Sequence, residues 1–248
     1  MKPNFKALAF IAIILLAWEI VSGSAIVNAV LFPAPSKVFE AGAKWFATGQ
    51  LETDVSTSFW RMLSGLTIGA TLGAVAGLLL GRIIFLEEAV APLFHILRAL
   101  PPVALIPLMI VWLGIGDVAK ILSIAFAVFF PVWVSVLVGA KTMHADYIKA
   151  AKVFSKSGIE TFRKVVFPAV MPFIVGGVRI GIGVAFIMVF VSELAGASSG
   201  LGYFIATAQT IYRADMMIAG LIVLGLLAAA TDYLFVVAAK RAVPWADI

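Results

Sequence analysis

Four ionisable side chains, Glu19, Arg179, Glu193 and Asp232, stand inside stretches that are otherwise almost free of charge. Placing an ion in hydrocarbon costs at least ~2.5–3.5 kcal/mol on insertion scales, so each must face protein or water. There, an arginine can contact an anion or latch a gate. A carboxylate can hold an outer gate or a docking surface, and either can act only as a hydrogen-bond partner between helices. Arg179 and Glu193 are fourteen positions apart, close to four helical turns. They therefore share a helix face but lie roughly 21 Å apart along it and cannot pair directly. Asp232 is expected to pair with backbone or solvent, and Glu19 has no evident partner.

A second chemical pattern lies between Lys141 and Phe167. On a helix begun at Asp146, Tyr147, Ala151 and Phe154 share one face, and Lys149, Lys152 and Lys156 share another. A short helix with a basic side can lie on anionic headgroups. It can equally dock its small apolar face, where Ala150 and Ala151 permit close approach, into a partner's groove. Periodicity alone does not choose between the two. Covalent chemistry has less support. The chain has no cysteine and only two histidines, His95 and His144, which excludes a disulfide scaffold, a thiolate zinc site and a cysteine nucleophile. It also has no Gly-x4-Gly-Lys-Ser/Thr phosphate loop and no His-Glu-x-x-His.

The elements that position these groups follow from composition. Of 248 residues 63% are apolar and only 12% charged, against roughly 25% charged in soluble domains, so an ordinary water-soluble globule is excluded. The class is all-α integral membrane protein, with room for about six spans of ~20 residues. The first span runs from Ala7 towards Leu31 and is ended by Pro33 and Pro35; it is expected to be a retained anchor and not a cleaved signal peptide. Residues 36–61 form a mixed external connection, with an amphipathic helix around Val38 to Phe46. The second span lies between Arg61 and Arg82. In it Gly65, Gly69, Gly73, Gly77 and Gly81 recur every fourth position, a spacing that lets a neighbouring backbone approach along one face.

Glu87, Glu88 and Arg98 belong to a short internal segment. The third span, Ala99 to Gly116, is broken near its start by Pro101, Pro102 and Pro107, and irregular backbone at membrane depth makes it a candidate pathway wall or a simple kink. Ile121 to Ala140, Val165 to Ser192 and Met216 to Ala239 supply the remaining spans.

The positive-inside rule sets the orientation. With both termini cytoplasmic, twelve basic residues fall inside: Lys2, Lys6, Arg82, Arg98, Lys141, Lys149, Lys152, Lys156, Arg163, Lys164, Lys240 and Arg241. Five, Lys37, Lys44, Arg61, Lys120 and Arg213, fall outside. The net charge of +5 thus records topology and not nucleic-acid binding.

Lys149-Ala150-Ala151, Ser155, Val165 and Phe167-Pro168 resemble, in spacing, the cytoplasmic loop motif of ABC-importer permeases: Glu-Ala-Ala, three residues, Gly, nine residues, Ile, one residue, Leu-Pro. The alanine pair and Pro168 are the literal matches. The run Arg98-Ala99-Leu100-Pro101-Pro102-Val103-Ala104-Leu105-Ile106-Pro107-Leu108 is similar to the third-span segment of the nitrate, sulfonate, taurine and bicarbonate permeases. So are Gly177-Val178-Arg179-Ile180-Gly181, Ser192-Glu193-Leu194, Gly200-Leu201-Gly202-Tyr203 and Pro244-Trp245, and the resemblance extends from about Leu31 to Trp245.

The resemblance implies a single transmembrane permease domain over 1–248, with its core at 58–241 and a coupling loop at 141–167, of the type I importer kind. It would sit in a bacterial inner membrane. It implies a second permease copy, forming a homodimer, two ATP-binding subunits that hold ATP and magnesium, and an external solute-binding protein, with no cofactor in this chain and no nucleic-acid partner. Tyr147, Lys149, Ala150, Ala151, Phe154, Ser155 and Pro168 would engage the ATPase. Pro101, Pro102, Pro107, Arg179 and Glu193 would line or gate the path of a small solute, an anion by the resemblance. An ion-coupled secondary transporter would often show paired inverted repeats, and none is apparent. A membrane-embedded enzyme would need a nucleophile and base or a metal cluster within the spans.

Overall fold

The computed structural model describes residues 5–24, 27–143 and 157–246. A bilayer offers backbone groups no water, so spanning segments must satisfy their own hydrogen bonds; among the described residues every regular element is helical. α1, Phe5–Gly23, is almost wholly exposed apolar surface. It ends at Gly23 and not near Leu31, so the prolines do not terminate it. Pro35 instead opens α2, Pro35–Ala47, at a position where a missing N–H costs nothing. Glu19 of α1 accepts the Ser36 N–H at 3.1 Å and the Ser36 hydroxyl at 2.7 Å, so this lone charge caps the start of α2.

α2 buries Val38, Ala41 and Trp45 and turns Lys37, Glu40 and Lys44 outward. Lys44, then Lys37, hydrogen-bond Glu40 and hold its carboxylate down at about 2. The amphipathic helix is thus where periodicity places it, but the connection around it is shorter than expected. α3, Gln50–Arg82, is one continuous helix, so Arg61 lies within it and not at its edge.

α4, Ile84–Ala99, carries Glu87, Glu88 and Arg98 on a helix and not on a short connecting segment, and Glu87 pairs with Lys141. After Pro101 comes a 3-10 turn, Pro102–Leu105, and then α5, Ile106–Leu113, with the chain bent by 89° between the two helices. Pro101 and Pro102 stand at the break because the residue before a proline is driven out of the α region; Leu100 and Pro101 are both extended.

α6, Asp117–Thr142, and α7, Phe167–Leu194, follow, the latter entered through helical turns at Gly158–Thr161 and Phe162–Val166. The second of these turns is of the wide π form, just ahead of Pro168, whose ring and missing N–H disturb regular i→i−4 bonding. A short α8, Leu201–Thr210, and a long α9, Ala214–Ala242, complete the chain. Among the described residues four helices are long and apolar enough to cross a membrane, and the bent α4–α5 pair makes five if it counts as one span. A sixth is reached only by adding α1, whose apolar part, Leu8–Gly23, is shorter than a typical span.

The core is the α3–α6–α7 sandwich around Met62, Ile124, Val128, Val132, Val170 and Val189. The α3 glycines lie directly on α6. A Cβ at Gly65 would stand 2.6 Å from the Ile124 Cβ, one at Gly77 2.7 Å from the Val136 Cβ, and one at Gly73 2.5 Å from the Phe129 carbonyl. α7 docks on the other side of α6 in the same way, through Gly177 against Ser135 and Gly181 against Val128.

Candidate functional site

The first polar constellation lies at the C-terminal end of α7. Glu193, 1% exposed, accepts hydrogen bonds from Arg61 Nη1 at 2.8 Å, from the Ser58 hydroxyl at 2.8 Å and from the Gly202 N–H at 2.9 Å. Arg61 also donates to the Ser199 carbonyl at 2.7 Å and pairs with Asp117 at the start of α6, its Nη2 lying 2.7 Å from the carboxylate. Asp54 accepts the Gly200 N–H at 2.8 Å and the Trp45 indole N–H at 3.2 Å, and Ser58 accepts the Leu201 N–H at 2.8 Å. Three successive free amides at the start of α8 are thereby capped by side chains from α3 and α7, and two of these caps are carboxylates facing the positive end of the helix. Trp45 stacks on Phe204 of α8 with centroids 3.6 Å apart, which closes the knot on its α2 side.

The glycines of Gly200-Leu201-Gly202 are there for space. Gly200 has φ +119°, and a Cβ on it would fall onto the Glu193 carboxylate; one on Gly202 would fall 2.6 Å from the Phe190 carbonyl. Lys120, also buried, points at the Ile115, Gly116 and Gly196 carbonyls at 3.3–3.5 Å. Arg61 and Lys120, expected as loop charges, are thus buried members of this knot. Asp54, Ser58 and Asp117 also escaped the sequence reading, because nothing in local spacing reports that residues 56 to 146 positions apart will meet.

The chain does carry the Gly-x-Ser-x-Gly spacing of a nucleophile elbow, at Gly196-Ala197-Ser198-Ser199-Gly200. That motif acts in a strand-to-helix turn, whereas this one is a connection between two helices. Its backbone is committed to the knot through Ser199 and Gly200.

The second constellation is within the helices. Arg179 Nε and Nη2 donate to the two oxygens of Asp232 at 3.0 and 3.1 Å, joining α7 to α9. Asp232 therefore pairs with a charged side chain and not with backbone or solvent. Half of the arginine side chain, 49%, and 38% of the aspartate remain open. A separate, mostly apolar groove of about 480 Å³ between α4, α6 and α7 is lined by Arg98, Phe130, Pro131, Ser135, Phe173 and Ile180, and neither Arg179 nor Asp232 is part of its lining. Pro101 is exposed and Pro102 half-buried at the 89° break, and Pro107 is exposed in the first turn of α5. The structure leaves Arg179 and Glu193 far apart on α7, each with its own partner.

Of the loop residues, Tyr147, Lys149, Ala150, Ala151, Phe154 and Ser155 lie outside the described residues. Pro168 is described, and its carbonyl accepts the Trp245 indole N–H at 3.2 Å. Ser157 caps the turn that follows the loop by accepting the Glu160 N–H at 3.2 Å. No group of three or more metal-ligating side chains gathers among the described residues.

Residues 69–244 match the family model described as binding-protein-dependent transport system inner membrane component. The chain is 31% identical over 240 residues to a putative aliphatic sulfonates transport permease protein of Bacillus subtilis, covering 97% of this chain and 87% of that one. It is 30% identical over 240 residues to the taurine transport system permease protein of Escherichia coli, covering 95% and 87%. The nitrate import permease protein of Synechocystis is 28% identical over 231 residues, covering 90% and 83%. In fold, a chain of the inward-facing MetNI methionine ABC transporter superposes with a TM-score of 0.60 at 23% identity, over 82% of this chain and 96% of that one.

Proposed function

The chain belongs to the binding-protein-dependent transport system inner membrane components, and from that premise we propose that with a second copy it forms the path of an ATP-driven importer for a small oxyanion. It is a transport permease of a bacterial-type ABC importer and not an enzyme. The observation that carries this reading is similarity over nearly the whole chain to importer permeases. The anion is supported by the sulfonate, taurine and nitrate named for these relatives and by Arg179 within a span.

The chain has no phosphate loop of its own, so two partner ATPase subunits hold ATP and magnesium. An external binding protein delivers the solute. Both termini and residues 141–164 are cytoplasmic, in keeping with the twelve-to-five division of basic residues. Residues 1–248 act as one permease domain. Within it the face of Tyr147, Ala151 and Phe154, with Lys149, Ala150, Ser155 and Pro168 around it, seats the ATPase. ATP then biases the two-state opening of a path walled by Pro101, Pro102, Pro107 and Arg179, with Glu193 holding its outer end shut.

Ala151→Glu tests the seat. In a close-packed protein groove the buried carboxylate costs several kcal/mol and should release the ATPase and abolish uptake. On a lipid surface it would weaken attraction by only about 1 kcal/mol. Lys152→Ala, on another face, should be mild. Pull-down of the ATPase and solute uptake are measured together; if Ala151→Glu keeps both while inserting normally, this face does not couple ATP to transport.

A further inference from the structure

Arg179 lies roughly 18 Å along α7 from Phe167, and Asp232 roughly 15 Å along α9 from Ala242, so the pair sits near the middle of a hydrocarbon layer about 30 Å thick. Helix ends are too distant for either side chain to reach an interface by bending. Yet 49% and 38% of the two side chains are uncovered. Charges in such a place face water or protein, not lipid tails.

The surroundings on α7 leave the pair uncrowded. Gly176, Arg179, Ile180, Gly183 and Ile187 form its exposed stripe. A Cβ on Gly176 or Gly183 would meet nothing within 4 Å, in contrast to Gly177 and Gly181, which are packed against α6. These two glycines therefore leave open space on either side of the guanidinium. Two of the five guanidinium N–H groups are spent on Asp232, and Nη1 has no partner among the described residues. A planar fork with donors to spare matches the oxygens of a sulfonate, nitrate or carboxylate.

We propose that the Arg179–Asp232 pair is a midspan oxyanion site facing the aqueous path, in which the open side of the guanidinium binds the anion and Asp232 is the counter-ion that keeps the arginine compensated when no anion is there. The proposal rests on the importer reading above. It adds that passage is selected for charge within the spans and not only by the external binding protein.

The chain has no cysteine, so single cysteines report this environment without background. The complex carrying Gly183→Cys is treated with an anionic sulfonatoethyl or a cationic trimethylammonioethyl methanethiosulfonate, and the rate ratio is normalised to a small free thiol. Residue 183 is one turn from Arg179, and at such distances in a partly aqueous site one charge changes the ratio by about threefold to tenfold. Asp232→Asn should raise the anionic preference by that factor, Arg179→Gln should lower it by the same factor, and Arg179→Lys should retain it. Methanesulfonate should slow modification with Arg179 present and not with Arg179→Gln.

Failure of Gly183→Cys to react with either reagent, or a ratio indifferent to both charge variants, would overturn the proposal. Gly176→Cys repeats the measurement on the other side of the arginine if Gly183→Cys does not assemble. Retention of the ATPase by each variant is scored separately, so loss of the importer assignment and loss of the anion site give different results.

Discussion

Arg61→Met removes the cation from the knot at the end of α7, and the structure sets the size of the effect. Asp117 loses its partner, but its side chain is 56% exposed and rehydrates, so that half of the change costs about 0–1 kcal/mol. Glu193 cannot do the same. Its side chain is 0% exposed and would keep only the Ser58 hydroxyl and the Gly202 N–H. A buried charge deprived of its counter-ion costs about 3–5 kcal/mol, and this contribution dominates. Glu193→Gln keeps the volume but turns an amide NH2 towards a shell made of donors, for about 1–3 kcal/mol. The double variant Arg61→Met with Glu193→Leu removes both charges and leaves the Gly202 N–H and the Ser58 hydroxyl proton without their acceptor; the Ser199 carbonyl loses its donor in Arg61→Met already, so the double variant should be no less stable than Arg61→Met alone. The assay is a double-mutant cycle on unfolding of the purified permease in detergent, with protease cleavage between residues 195 and 200 as a local readout. A coupling of at least about 2 kcal/mol is expected; single effects that add to within about 0.5 kcal/mol would refute the idea that the two charges are buried as one unit.

Gly73→Leu should abolish recovery of folded permease, because its Cβ alone already meets the Phe129 carbonyl at 2.5 Å, whereas Gly183→Ala, with nothing near it, should be neutral or slightly stabilising. Size-exclusion of the detergent-solubilised variants decides it, and a normal Gly73→Leu would show that the seam between α3 and α6 is not close-packed. Lys156→Cys should resist an impermeant thiol reagent in intact cells while Lys44→Cys is labelled, and equal labelling would reverse the orientation. Glu19→Ala should free the start of α2 by removing the acceptor of the Ser36 N–H and hydroxyl, so that the Ser36 amide exchanges faster with solvent hydrogen; unchanged exchange there would refute the cap.

What was legible in the sequence is what repeats locally. Glycines every fourth residue predict a close seam, and charge-free runs predict α6, α7 and α9 nearly to their ends. The amphipathic period from Val38 to Phe46 likewise predicts α2. Prolines misled at Pro35, because the same ring that ends one helix is well suited to start the next. Charge misled at Arg61 and Lys120, since a basic residue beside an apolar run reads as a loop end unless its buried partner is known. Those partners, Glu193 and the carbonyls around Gly196, are brought in by the packing of α3 and α7 on α6 and by the connection after α7, and no one-dimensional period encodes that. α8 escaped for a related reason: ten residues without a boundary charge cannot be told from loop, and its N-terminus is capped by side chains from α3 and α7.

The same packing bears on how a loop can move a pore. The segment proposed to seat the ATPase joins α6 to α7, and these helices are held to one another by close contacts along their length: Gly139 at Phe173, Gly177 at Ser135, Gly181 at Val128, and the Ser135 hydroxyl on the Phe173 carbonyl at 2.7 Å. α3 is sealed to the far side of α6 by its glycines. Cores at this density do not shear gradually, so a push on the loop would be carried by α3, α6 and α7 as one body. The elements left to yield are the weakly attached ones, α1 at one edge and the α4–α5 pair at its proline break. The knot at the end of α7 then ties that rigid body to α8 at the opposite end, and a displacement at the loop would reappear there instead of being absorbed along the way. In this arrangement Arg179 and Asp232 occupy the seam between the rigid body and α9, the place where relative movement would change how much of the guanidinium is open to the path.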